Sequence, residues 1–128
     1  MKLGYVIVYV PEVAAALEFY QRAFGFGQAF LHVSGDYGQL DTGETAVAFT
    51  SHALGASAVP VPYTALDPAA PPAGFELTLT TDAVDEDFAR AVAAGAEPLS
   101  EPHDEPWGQR VSYVRDPFGV LIGIASPM

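Results

Sequence analysis

Tyr5-Val6-Ile7-Val8-Tyr9-Val10, then Pro11, then Val13, Leu17, Tyr20 and Phe24 in register up to Gly25: this opening stretch decides the fold, because the chain repeats it. The first six residues are β-branched or aromatic and read as a buried strand. Pro11 suits the first turn of a helix, where its missing N–H is not needed. The four apolar residues then recur on one helical face, and Gly25 supplies the stop. The second copy starts at Phe75–Thr80, an alternating strand. Asp82 is placed to cap the helix that follows. Its apolar face is Val84, Phe88, Ala91 and Gly95, with the same intervals as Val13, Leu17, Tyr20 and Phe24.

Outward from each copy, three more strands are expected: Gln28–Val33, Tyr37–Asp41 and Thr45–Ser51 in the first half, and Glu97–Ser100, Gln109–Arg115 and Val120–Ser126 in the second. Ser34-Gly35-Asp36, Thr42-Gly43-Glu44 and Asp116-Pro117-Phe118-Gly119 supply turns. Between the halves, His52 to Gly74 holds Pro60, Pro62, Pro68, Pro71 and Pro72 among Ala and Ser, and reads as a partly extended linker. The order is therefore βαβββ, linker, βαβββ, a duplicated supersecondary unit. The fold class expected is α+β: two tandem βαβββ modules, each a curled mixed sheet with a helix outside, sharing an open cup. On this reading residues 1–128 form one domain, with module one at 1–51, the linker at 52–74 and module two at 75–128. The competing reading is an ordinary α+β sandwich whose halves are similar by chance.

Composition bounds the function. Half of the 128 residues are apolar, enough for a core, and only 16% are charged. Sixteen acidic against five basic residues give a formal charge of −11. That argues against a nucleic-acid partner, which needs a cationic face, and against a polybasic membrane contact. There is no cysteine, so disulfides, thiolate metal sites and a cysteine nucleophile are excluded. No run is apolar enough to span a bilayer and none reads as a signal segment, which leaves a cytoplasmic protein as the expectation.

The phrases Tyr5–Val13, Ala14–Tyr20 and Phe24-Gly25-Phe26, together with Pro106-Trp107-Gly108-Gln109 and Tyr113–Gly119, resemble the opening and closing motifs of the vicinal-oxygen-chelate superfamily, the glyoxalase/bleomycin-resistance/dioxygenase group. The resemblance covers essentially the whole chain. It implies the cup fold more safely than any one chemistry. In metal-dependent members, His, Glu or Gln side chains point into the cup and hold a divalent ion that polarises a substrate oxygen. The positions that match here are Tyr5, Ala48, Glu76 and Gly123. Only Glu76 is a ready ligand for a hard cation, and one carboxylate makes no cage. No metal and no other cofactor is therefore expected. A rearranged set of His52, His103 and Glu76 is the exception to be tested, since neither these histidines nor His32 occupies a matching position.

The expected ligand-binding residues are Tyr5, Phe49, Glu76, Trp107 and Arg110. An aromatic face beside a carboxylate suits a cationic or planar organic ligand. Four of these have a plainer reading. Tyr5 serves equally as a core tyrosine, Glu76 as a surface strand residue, Trp107 as packing under its loop, and Arg110 as a partner that neutralises Glu76. No Ser lies in a nucleophile elbow, Gly25-Phe26-Gly27 follows a helix rather than opening one, and Asp82, Asp85, Glu86 and Asp87 are ordinary acids at a helix start. Two functions stay open: a protein, a homodimer as the resemblance implies, that binds a small organic ligand without turning it over, and a diverged lyase, isomerase or dioxygenase with altered metal ligands or with Glu76 or Tyr5 as acid/base. A structural or regulatory role is the third.

Overall fold

The computed structural model describes residues 1–128 and contains two compact units, Met1–Ala65 and Leu66–Met128. Each holds one four-stranded mixed sheet.

In the first unit, β1 (Tyr5–Val10), α1 (Val13–Phe24), β2 (Gly27–Leu31), β3 (Tyr37–Asp41) and β4 (Ala46–Ser51) form a sheet of order β1-β4-β3-β2. β1 runs parallel to β4, and the other pairs are antiparallel. Alternation assigns the faces. Val8, Phe49 and Gly38 lie in one row, and α1 covers that side. Val10, Leu17, Tyr20, Leu40 and Phe49 are all buried there. Gly38 lets the helix approach: a Cβ at this position would lie 2.7 Å from Leu17 Cδ1 and 3.1 Å from Val13 Cγ1. α1 ends as expected at Gly25, whose φ of 77° is left-handed and whose N–H bonds to Gln21 O at 2.9 Å.

In the second unit, β5 (Glu76–Thr80), α3 (Val84–Ala93), β6 (Glu97–Asp104), β7 (Arg110–Arg115) and β8 (Leu121–Ala125) give the matching order β5-β8-β7-β6. Ser112, Val114, Ile122 and Ile124 are buried on the helix side. β6 runs four residues past the expected Ser100. Its prolines, Pro98 and Pro102, are tolerated because the strand is an edge, and register shifts between Pro98 and His103 absorb them. Asp82 does not cap α3. The cap position is Ala83 without a side-chain bond, and Thr81 does the work instead. The Thr81 hydroxyl accepts the Ala83 N–H at 3.0 Å and donates to Asp87 Oδ2 at 2.6 Å.

The Pro-rich stretch is not extended throughout. His52–Ala58 is a short helix, α2, started by Ser51, whose hydroxyl accepts the Leu54 N–H at 3.1 Å. Ala and Ser favour that helix until Pro60 ends it. Further on, residues 67–70 are held by Arg115. This side chain is only 7% exposed and donates to the carbonyls of Asp67, Pro68, Ala70 and Gly119 at 2.6–3.1 Å. No helix is long and apolar enough to cross a membrane.

Candidate functional site

The long helix of each unit leaves one side of its sheet uncovered, with α2 reaching that side of the first sheet at Tyr9, and the strand register lists what that side presents. In the second unit, Thr78, Gly123 and Tyr113 form one cross-strand row, with Glu76 two residues back along β5. Trp107 stands on the turn between β6 and β7, which Glu105 N–H and Gly108 N–H close onto Gln109 O and Glu105 O. Glu76, Thr78, Trp107, Gln109, Tyr113 and Gly123 share a concavity of about 180 Å³.

Its polar groups are fixed in place. The Thr78 hydroxyl donates to Glu76 Oε1 at 2.5 Å, which orients the carboxylate. The Trp107 indole N–H donates to Gln109 Oε1 at 2.8 Å, and Gln109 Nε2 donates to Ser126 O at 2.8 Å. The indole is therefore tethered to the sheet while its ring stays 64% exposed. An open aromatic ring beside an oriented carboxylate can hold an organic cation by charge pairing and by the ring's negative face.

Glu76 and Trp107 line the same concavity, whereas Arg110 and Phe49, also expected in the site, lie on the helix side of their sheets. Arg110 lies on the helix side, because the alternation that turns Val111 and Tyr113 to the open side turns Arg110 away. Its guanidinium forks onto Asp85 of α3 at 2.9 Å to each oxygen and reaches Asp104 Oδ1 at 3.1 Å. Glu76 is thus not neutralised by it. That fork holds the Asp85 carboxyl below its ordinary range and raises the guanidinium. Phe49 has no exposed surface, and its ring packs 5.0 Å from that of Tyr20 under α1. It belongs to the core of the first unit, not to a ligand surface. Tyr5 stands on the open side of the first sheet, 59% exposed.

The first unit has its own, larger concavity, about 580 Å³, lined by His52, Ala56, Val59, Pro60, Val61 and Tyr63 among others. His52 Nδ1 and the Tyr63 hydroxyl are 2.8 Å apart, and Tyr63 stacks on Tyr9 at 4.7 Å. Gly55 is required beneath that stack, since a Cβ there would come within 2.7 Å of both Tyr63 Oη and the Tyr9 ring. Size favours this concavity and chemistry favours the other: apart from one His–Tyr pair its walls are alkyl, with no charge to orient a ligand.

A divalent metal does not fit the residues present. Tyr5, Ala48 and Gly123 offer no carboxylate or imidazole, and no three His, Asp or Glu side chains gather into a set able to hold an ion. The three side chains of the rearranged set each have a local protein partner. His52 is bonded to Tyr63, Glu76 to Thr78, and His103 to Glu105 Oε1 at 2.7 Å and Glu101 O at 2.9 Å. The Glu101 carbonyl and the Glu105 carboxylate both raise the His103 imidazole above its ordinary value.

Sequence reasoning missed Thr78, Gln109, Tyr113 and the His52–Tyr63–Tyr9 stack. Thr78 was within reach, since period two from Glu76 selects it. The stack joins residues from three elements, and no local pattern announces it.

Comparison with known proteins follows the same lines. The sequence model of the Glyoxalase/Bleomycin resistance protein/Dioxygenase superfamily matches residues 2–124. A glyoxalase-related enzyme from Fulvimarina pelagi superposes with a TM-score of 0.85 at 22% identity, over 99% of this chain and 88% of that one. TioX from Micromonospora sp. ML1 superposes at 0.74 and 24% identity, over the whole of both chains. A glyoxalase/bleomycin resistance protein/dioxygenase family enzyme from Burkholderia phytofirmans PsJN does so at 0.76 and 25%, also over both whole chains. No curated protein matches.

Proposed function

We infer the function from one premise: the chain belongs to the Glyoxalase/Bleomycin resistance protein/Dioxygenase superfamily. Within it, we propose that this protein binds a small organic molecule with a positive charge and an aromatic body, on the open side of the second sheet, without a resident metal. The observation that carries this reading is the pairing of an oriented carboxylate, Glu76 on Thr78, with a tethered, open indole, Trp107 on Gln109, in one concavity. A single charge beside an aromatic face recognises a monocation, whereas a divalent ion needs several convergent oxygens or nitrogens.

The working form proposed is a cytoplasmic homodimer. On the open side of the first sheet, Ile7, Ala48, Gln39 and Phe30 form one row. Tyr5, Ile7 and Phe30 are 59%, 43% and 48% exposed, an apolar surface suited to a second copy.

Trp107 is the chain's single tryptophan, so its fluorescence reports this site alone. Titration with benzyltrimethylammonium is expected to quench it saturably. Glu76→Gln should weaken that binding about tenfold, the upper range for a desolvated cation beside one carboxylate and one ring. Equal binding of benzyl alcohol, its uncharged counterpart, would sink the reading. The rival reading, a diverged enzyme with an altered metal site, calls for one ion per chain in protein purified without chelator and a thermal shift with Mn²⁺, Ni²⁺ or Zn²⁺ that is lost in Glu76→Ala.

A further inference from the structure

Gly123 sits in the middle of β8, where glycine weakens a strand for want of a side chain and loses the most entropy on folding. Its backbone does not explain the choice, because the glycines with positive φ are six others, at 25, 35, 43, 95, 108 and 119. Space explains it. A Cβ at Gly123 would lie 2.9 Å from Glu76 Oε1, 3.2 Å from Thr78 Oγ1 and 3.4 Å from Thr78 Cγ2. The volume a side chain would fill is the volume the Glu76 carboxylate occupies, with the Thr78 hydroxyl holding it there at 2.5 Å. We propose that Gly123 is the specificity-determining position of this site: by leaving that space it lets Glu76 lie across β8, where Thr78 fixes it, and so sets the site for one organic monocation.

The proposal rests on the binding reading above and narrows it in two ways. First, a side chain at 123 displaces Glu76 from the observed pose, since its Cβ alone would press on the carboxylate oxygen at 2.9 Å. A second carboxylate at 123 would crowd and repel the first, and glycine there leaves the site a single charge. Second, a concavity of about 180 Å³ holds roughly six waters at ~30 Å³ each, which is headgroup size. The cationic end of the ligand enters, and its aromatic body lies against Trp107 at the edge. Gly123 and Thr78 act through Glu76 and are positioning residues.

The test uses Gly123→Ala and Thr78→Val beside the parent chain and Glu76→Gln. Gly123→Ala puts no strain on its own backbone, since an ordinary strand conformation accepts alanine, and the nearest obstacle is the far end of a flexible side chain. The expected result is a dissociation of two readouts. Thermal stability stays level or rises, while binding of benzyltrimethylammonium, followed by Trp107 quenching, weakens about tenfold, as in Glu76→Gln. Thr78→Val should weaken it about threefold, the range for losing one hydrogen bond to a charged group that water can partly replace. A purely structural glycine would lose stability and leave charge selectivity alone. A ligand-independent readout accompanies these: the Glu76 side-chain carboxylate carbon, which senses the Thr78 hydroxyl, should change its NMR chemical shift in Gly123→Ala as it does in Thr78→Val. If that shift stays at its parent value, or if Gly123→Ala binds the cation as the parent does while Glu76→Gln does not, the role of Gly123 is overturned. If the parent itself fails to prefer the cation over benzyl alcohol, the binding reading fails, and the specificity role falls with it.

Discussion

His103 is the residue whose charge state has the clearest consequence. Its imidazole sits between the Glu101 carbonyl and the Glu105 carboxylate, and both favour the protonated form over the opposing pull of nearby Arg110. Glu105 also closes the turn that carries Trp107. A raised folded pKa fixes the sign of the linkage. Below the ordinary imidazole value of 6.5 the contribution to stability is fully present, and it fades as pH rises through the raised folded value. We expect the parent to lose thermal stability across that window relative to Glu105→Gln, measured as Tm against pH. Parallel curves for the two proteins would show that the pair does not hold the turn. None of this was legible beforehand. His103 reads as a loop histidine because the register shifts that carry β6 to Asp104 depend on pairing with β7, which a single strand's sequence does not specify.

At the scale of elements, legibility followed the range of the interaction. The α1 face, the Val84, Phe88 and Ala91 part of the α3 face and the repeat itself could be read because helical period is local, whereas Gly95, expected on that face, lies past the end of α3 at φ 117°. The face taken by Glu76 needed only correct alternation along β5. Phe49 and Arg110 failed for one reason: each is one residue out of phase with the open side, and period two turns such a residue to the helix. α2 was hidden by the prolines that follow it. Close packing of α1 on its sheet gives a sharp test at this scale. Gly38→Ala forces Leu17 and Val13 away from β3 and should destabilise the protein by about 1–3 kcal/mol, the usual cost of overpacking. Chemical denaturation measures it, and Leu17→Ala in the same chain should relieve part of the strain, a non-additivity that only direct contact produces. A Gly38→Ala variant as stable as the parent would mean that α1 does not press on the sheet there.

For the whole molecule, charge and apolar surface act together. Each chain carries a formal −11, so two copies repel, while the Tyr5, Ile7 and Phe30 side of the first sheet favours their contact. The proposed dimer should therefore tighten with added salt, which screens the repulsion. Ile7→Glu should shift it to monomer in sedimentation; a chain that is monomeric at every salt concentration would exclude the dimer. The fold-level reading came from duplication, which doubles the evidence for every element, whereas the site, present in one half only, had no second copy to check it against. The two units meet in sequence between Ala65 and Leu66. Directly after that junction Arg115 ties the carbonyls of Asp67, Pro68 and Ala70 to the second sheet. The join therefore has a slack side and an anchored side. A foreign peptide spliced in just before Leu66 follows the exposed Thr64 and Ala65, whereas the same insertion three residues later pulls carbonyls from a buried guanidinium. Anyone grafting a tag, an epitope or new chain termini into this protein has a usable window ending at Leu66, and Arg115 is what closes it.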